Sequence, residues 1–365
     1  MSSDTLKPLV IGDIEIKVPI IQGGMGVRVS TSALASAVAN CGGAGTIASV
    51  GLSVEAEECG IKDFVANSNE ALKKEIRRAR ELTQGVIGVN IMVALSNYED
   101  LVKAAASEQI DFIVSGAGLP LKMPALTAGS TVKLIPIVSS VRVADLIIKT
   151  WKKRYDRVPD AIVVEGPLAG GHLGYRFEDL QKEKTASLEE LLTEILKTVK
   201  QYEKDLNVKI PVIAGGGIFD GKDIARILNL GASGVQIGTR FVATEECSVP
   251  DDFKQLYLKT ETQDTFIIKS PVGLPGRTIR TKFVEKIMQG VKFPFVCKYK
   301  CLKTCDPGKA PYCIAKALLN AVKGDLDNAV VFAGSTVSRI KKIVSVKELI
   351  DELVTETELA LRATA

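Results

Sequence analysis

The chain has one histidine and one tryptophan in 365 residues, and aromatic residues make up only 5%. Any imidazole chemistry must therefore come from His172. The net charge is only +4, and no basic stripe with interleaved aromatics is present, which argues against a nucleic-acid partner. No run of about 18 apolar residues occurs, so no membrane-spanning helix is expected. The opening MSSDTLKPLV has no basic segment followed by an apolar stretch. A secretory signal is therefore not expected, and the cytoplasm is the expected location. The seven cysteines are an odd number, and nothing in so long a chain marks them as a disulfide framework.

What the chain does have is glycine, 31 of them, with 46% apolar and 25% charged residues. That balance is typical of a globular protein. Abundant glycine with few aromatics suits many tight strand-to-helix turns. Short apolar runs end in small residues and are followed by helix-like stretches. Examples are VPIIQGG (18–24), VIGVNIMV (86–93), DFIVSGAG (111–118), VKLIPIVS (132–139), AIVVEGP (161–167), PVIAGGGI (211–218) and GVQIGTRF (234–241). With GAGTIAS, which begins at Gly43, there are eight such runs. Continuous apolar runs suit parallel strands covered on both faces. The segments between them carry apolar residues at three- and four-residue spacing, and Ser187 with Glu190 predicts a capping box. Eight strand–helix repeats over 1–245 indicate an α/β (β/α)8 TIM barrel, with a doubly wound open sheet as the alternative. Residues 246–329 lose the alternation and are expected to form a mostly helical, cysteine-containing insertion. Residues 330–365 are expected to return to the barrel and close it with an amphipathic helix.

In such a barrel the loops after the strands build the site. AGGGIFDGKDIARIL (214–228) places Gly215, Gly216 and Gly217 between the seventh strand and a helix. Bare backbone N–H groups at a helix N-terminus hold phosphate well. Gly238 and Thr239 follow the eighth strand and can add N–H groups and a hydroxyl. There is no Walker lysine motif, and GGMG (23–26) does not fit a dinucleotide fingerprint. A nucleotide held by backbone amides at the barrel mouth is favoured, and FMN is a ligand of that kind. Turn geometry alone is the simpler explanation of the same glycines.

PIIQGGMG (19–26), GVNIMV (88–93), EGPLAGGHLG (165–174), VIAGGGI (212–218) and QIGTRF (236–241) occur in the order of one family. Over residues 8–245 the chain resembles the FMN-dependent nitronate monooxygenases, formerly 2-nitropropane dioxygenases. The flavin-type enoyl-acyl-carrier-protein reductases share most of these motifs. The resemblance implies that Gly24 and Met25 lie against the flavin ring and that Asn90 contacts it. Glu165 stands where the family often has Gln. Gly170 and Gly171 would pack on the flavin. Gly215, Gly216, Gly217, Gly238 and Thr239 would hold the phosphate, with Gln236 near. His172 matches the family's catalytic histidine.

A structural histidine is the plain alternative for His172. A neutral imidazole in a glycine-rich loop at a strand's C-terminal end is, however, suited to act as a base. By the resemblance, a nitroalkane or its nitronate would stack on FMN and be oxidised to a carbonyl compound and nitrite. The alternatives are an NAD(P)H-dependent enoyl-thioester reductase, in which exposed lysines attract an acidic acyl carrier protein, and a non-catalytic flavin or redox sensor. A small-molecule substrate is expected, and a homodimer is compatible with it.

One stretch departs from the family pattern. CKYKCLKTCDPGKAPYC (297–313) holds four of the seven cysteines. If 297–305 is helical, Cys297, Cys301 and Cys305 share one face. The turn at Asp306-Pro307-Gly308 would bring Cys313 back to them. Four thiolates can hold a [4Fe–4S] cluster or Zn2+, with Lys298, Lys300, Lys303 and Lys309 offsetting charge, and a cluster beside a flavin would point to an anaerobic flavin/iron–sulfur reductase or electron-transfer enzyme as a further alternative. Cysteines packed as small apolar residues, or redox disulfides, are the alternatives.

Overall fold

The computed structural model describes residues 6–53, 61–297 and 300–364. Lys298 and the first five residues lie outside them. All eight runs form strands: β1 (Ile20–Gln22), β2 (Gly45–Ala48), β3 (Ile87–Met92), β4 (Phe112–Gly116), β5 (Lys133–Val138), β6 (Ile162–Glu165), β7 (Val212–Gly215) and β8 (Gly234–Ile237). They make one parallel sheet in sequence order, and β8 pairs back to β1 with Ile21 opposite Gln236. The seam between β1 and β2 closes through the Ile21–Ala44 bridge. The result is a (β/α)8 barrel.

Valine and isoleucine dominate the strands because both faces are buried. Inward residues Ile21, Val114, Ile135, Val163 and Ile213 form an interior cluster. Outward residues such as Val89, Ile113, Val164 and Val235 join the larger shell beneath the helices. A feature without a strand–helix signature completes the interior. The antiparallel hairpin Leu9–Ile11/Ile14–Ile16 adds Leu9, Ile11 and Ile16 to that cluster, each at most 1% exposed. Each such burial contributes about 1.5–3 kcal/mol.

Helices α1 (Ser32–Asn40), α2 (Ile61–Leu82), α3 (Tyr98–Ser107), α4 (Val141–Tyr155), α5 (Leu188–Leu206) and α6 (Gly221–Asn229) wrap the sheet. Ser187 and Glu190 form the predicted capping box at the start of α5, and Asp220 with Asp223 does the same for α6. The C-terminal helix Val346–Thr364 packs on α6 and α1. Glu356 accepts a 3.0 Å hydrogen bond from the Gly221 N–H. Arg240 pairs with Glu352 at 2.9 Å and lies 4.3 Å above the Phe219 ring, in the loop before α6.

Between the eighth strand and that helix lie the helical segments Asp251–Lys259, Lys282–Met288 and Ile314–Val322. The expectation of a mostly helical insertion misses one element. Thr265–Lys269 and Pro275–Ile279 form an antiparallel hairpin, and Gly171–His172 adds to it as a third strand. This small sheet ties the insertion to the barrel mouth.

Candidate active site

The C-terminal ends of the strands open into a cavity of about 680 Å³. That is within the usual range for small-molecule sites, about 300–1,000 Å³. Gly24, Met25, Asn90, Glu165, Gly170, Gly171, His172, Gly215, Gly216, Gly217, Gln236, Gly238 and Thr239 all border it. The sequence assigned these residues to five separate motifs, and the barrel brings them to one place.

The floor is built by close backbone approach. A Cβ on Gly24 would sit 2.2 Å from the Asn90 Cβ, so glycine lets the first loop lie against the third strand. Gly216 and Gly217 have φ of +98° and +86°, values that L side chains rarely adopt. The turn they make exposes backbone at the mouth of β7, beside Gly238 and Thr239 at the end of β8. Gly170 also has a reason within the protein itself. A Cβ there would meet the Ala333–Gly334 backbone at 2.5 Å, so its smallness serves a backbone-to-backbone contact. Gly334 in turn donates to the Thr239 hydroxyl at 2.9 Å.

His172 does not sit in a free loop. It pairs with Gly276 in the three-stranded sheet, and the Leu173 N–H donates to the Pro275 carbonyl at 2.8 Å. Arg277 holds the preceding turn, donating to the carbonyls of Pro167 at 2.9 Å and Ala169 at 3.2 Å. The His172 Nε2 lies 2.8 Å from the Ser270 hydroxyl, and Phe332 meets the ring edge-on at 4.9 Å between centroids. Burial pushes the imidazole down to about 4, so it is neutral at pH 7. A base that weak is a poor match for a carbon acid at neutral pH. Glu165 shows the opposite effect. Enclosure by protein pushes its carboxyl up to about 8, against a hydrogen bond from the Gly174 backbone that lowers it. It is a neutral acid at pH 7. The Tyr175 hydroxyl donates to the Glu165 carbonyl at 2.7 Å, fixing the start of the loop that carries His172.

Ser270, Phe332, Gly334 and Arg277 were not among the expected site residues. All four come from segments after residue 246. Their signal was limited to glycine-containing stretches, SPVGLPGR (270–277) and VVFAGST (330–336), with no strand–helix rhythm to place them.

The cysteine segment is not the helix that face-sharing required. Lys300 has φ of +45°, and the chain from Lys300 to Cys305 runs as an irregular strap. The strap is pinned across the barrel mouth. Leu302 bridges Leu95, the Lys303 N–H donates to the Ala94 carbonyl at 2.9 Å, and the Ser96 N–H donates to the Cys301 carbonyl at 3.0 Å. Cys313 caps Ile314–Val322. Cys297, Cys301, Cys305 and Cys313 are all unpaired thiols. Burial, then the charges of Cys313, Cys297 and Cys305, push the Cys301 thiol up to about 12. Two of the lysines face other partners: Lys303 donates to the Val93 carbonyl at 2.9 Å and Lys309 pairs with Asp306 at 3.4 Å. Among the described residues, no group of three or more His, Cys, Asp or Glu side chains converges to hold a single ion.

The family model described as nitronate monooxygenase matches residues 7–111 and 95–356. The chain belongs to that family. A curated relative in Mycobacterium tuberculosis is (3aS,4S,5R,7aS)-5-hydroxy-7a-methyl-1-oxo-octahydro-1H-indene-4-carboxyl-CoA dehydrogenase. It is 30% identical over 277 residues, 76% of this chain and 67% of the relative. A probable nitronate monooxygenase of Staphylococcus aureus is 29% identical, with 76% and 79% of the two chains covered. The solved structure of FabK from Thermotoga maritima superposes with a TM-score of 0.74 at 29% identity, covering 99% of this chain and 97% of that one. A nitroalkane oxidase of Streptomyces ansochromogenes shares the fold, with a TM-score of 0.73 at 22% identity and coverage of 95% and 97%. This nitronate monooxygenase family member is a flavin oxidoreductase. Its cavity fits the cofactor: the left-handed Gly216–Gly217 turn, which packs against Ala169 and Leu168, brings backbone to the cavity wall, and the buried Ser49 hydroxyl on that wall has no protein partner. Among the described residues no helix is long and apolar enough to cross a membrane.

Proposed function

We propose that the enzyme binds FMN and reduces a carbon–carbon double bond conjugated to an acyl thioester. The carrying observation is the pairing of a neutral carboxylic acid with an apolar wall. Glu165 lies on one side of the cavity. Ile314, Leu318, Leu319 and Val322, along one face of the helix Ile314–Val322, line it elsewhere and suit an acyl chain. Gly215, Gly216, Gly217, Gly238 and Thr239 hold the FMN phosphate, and Gly24, Met25, Asn90 and Gln236 border the rest of it. The flavin, when bound, supplies the hydride that the β-carbon accepts. Glu165 supplies the proton to the α-carbon, leaving a carboxylate that solvent reprotonates. His172, neutral and oriented by Ser270, donates a hydrogen bond to the thioester carbonyl and draws charge from the double bond. The CoA-linked M. tuberculosis relative supports a thioester substrate, and exposed Lys300 and Lys309 suit an acidic carrier or nucleotide.

Nitronate oxidation is the second reading, favoured by the family match. The weakness of His172 as a base points there to the preformed nitronate anion in place of the neutral nitroalkane. Anaerobic titration followed by flavin absorbance separates the two. Bleaching by NADH or NADPH and recovery on adding a medium-chain 2-enoyl-CoA is the expected result. Bleaching by propyl nitronate alone, with no response to either nicotinamide, overturns the reductase.

A further inference from the structure

The cysteine strap is the largest feature the proposed chemistry leaves unused. Four thiols from one 17-residue segment, Cys297 to Cys313, gather within electrostatic reach of one another over the barrel mouth. Two ordinary explanations fit it poorly. Cysteines serving as small apolar filler are usually fully buried, yet all four here are only partly buried. Structural disulfides would pair them, and all four are free thiols.

Backbone features sit at two of the sulfurs. The Lys300 backbone N–H donates to the Cys297 sulfur at 3.3 Å, the kind of bond that tunes ligand sulfurs in metal centres. Cys313 is the N-cap residue of the nine-residue helix Ile314–Val322, so the start of that helix fixes the last cysteine of the strap. The strap itself is braced from several sides: Thr304 donates to the Val272 carbonyl at 2.8 Å, and the Phe293 N–H donates to the Pro311 carbonyl at 2.7 Å. Nothing in that bracing uses the sulfurs.

Among the described residues no group of three or more such side chains converges on one ion, as the tight shell of a zinc, with bonds to sulfur of about 2.3 Å, would require. A four-iron core is broader. Each iron takes one cysteine, and bridging sulfides keep the four ligand sulfurs apart. We infer that Cys297, Cys301, Cys305 and Cys313 form a binding site for a [4Fe–4S] cluster on the rim of the flavin cavity. Cys301 lines that cavity, so the cluster lies in the wall of the site that holds the flavin. The strap then has a reason for its place: it carries a one-electron centre to a two-electron cofactor. The inference does not depend on which substrate is reduced.

Purification under anaerobic conditions, with iron, acid-labile sulfide, zinc and FMN measured on the same sample, tests it. The expected result is iron and sulfide in equal amounts, about four of each per chain, with a paramagnetic signal on dithionite reduction. Cys301→Ser and Cys305→Ser should lose most of the iron and keep FMN, which shows the fold intact. Equimolar zinc without sulfide overturns the inference. So does protein that takes up no more iron than the Cys301→Ser variant after reconstitution with iron and sulfide. FMN content, read separately, tells failure of the cluster from failure of the flavin assignment.

Discussion

One wall of the cavity is backbone and the other is side chain. On the barrel side, Gly24, Gly216, Gly217 and Gly238 bring main chain to the surface, and their role is to be absent of Cβ. On the side built by residues after 246, Phe332, Cys301 and the helix Ile314–Val322 present particular atoms, and Ser270 backs the His172 ring. The first wall suits a cofactor common to a whole family, because amides and empty space recognise any flavin alike. The second suits a particular substrate, because ring, thiol and aliphatic side chains discriminate. The difference teaches where variation in activity is to be sought: in the insertion, with the barrel end held constant.

Four substitutions test that division, from the largest effect to the smallest. Gly170→Val drives a branched side chain into the Ala333–Gly334 backbone, which a Cβ alone would meet at 2.5 Å. Both walls should part. Overpacking of this kind costs about 1–3 kcal/mol or more, read as a fall in thermal midpoint together with lost FMN. Gly216→Ala should damage only the backbone wall. A side chain at φ +98° is strained, by roughly 1–3 kcal/mol, so FMN affinity drops about tenfold or more in fluorescence titration while the far-ultraviolet spectrum is kept.

Ser270→Ala should damage only the side-chain wall. It removes the 2.8 Å partner of His172, at about 1 kcal/mol, and lowers kcat severalfold with FMN affinity unchanged. An equal loss of flavin would merge the two walls into one unit. Glu165→Gln gives the smallest change in stability and a diagnostic one in pH. The folded carboxyl titrates near 8 against an ordinary value of 4.5, so the folded state holds a proton that the unfolded chain has released. Wild-type stability should therefore fall as pH rises from 4.5 toward 8, and the Gln variant should lack that fall. Turnover of the wild type should decline above about pH 8 as the acid ionises. His172 contributes in the opposite sense. Its depressed value means stability is full above 6.5 and is lost as pH falls through about 4, in both proteins. Urea melts of flavin-free protein across that range measure both slopes.

The backbone wall was legible in the sequence and the side-chain wall was not, for a physical reason. Strand–helix alternation fixes where each strand ends, so a glycine at a strand end such as Gly216 carries its position with it. Ser270 carries no such address. It reaches His172 because a hairpin docks on a two-residue strand, and two residues give no periodicity. The N-terminal hairpin was missed likewise: Leu9, Ile11 and Ile16 alternate too briefly to announce a strand pair. Gly170 was placed at the site on the resemblance, but its reason lay in a segment more than 160 residues on, which local pattern does not reach. The cysteine strap shows the limit from the other side. Spacing suggested a shared helical face, the left-handed Lys300 breaks that helix, and tertiary pinning gathers the thiols all the same.

The tie between Gly221 and Glu356 spans 135 residues of chain. The helix that follows the Gly216–Gly217 turn is therefore braced at its first residue by a helix made long after it, and the final wall of the barrel also supports that loop from behind. Flavin colour consequently reports more than occupancy. If that brace is needed for the loop to hold its shape, flavin uptake should follow the meeting of Gly221 and Glu356, and its appearance in refolding times the last closure of the fold.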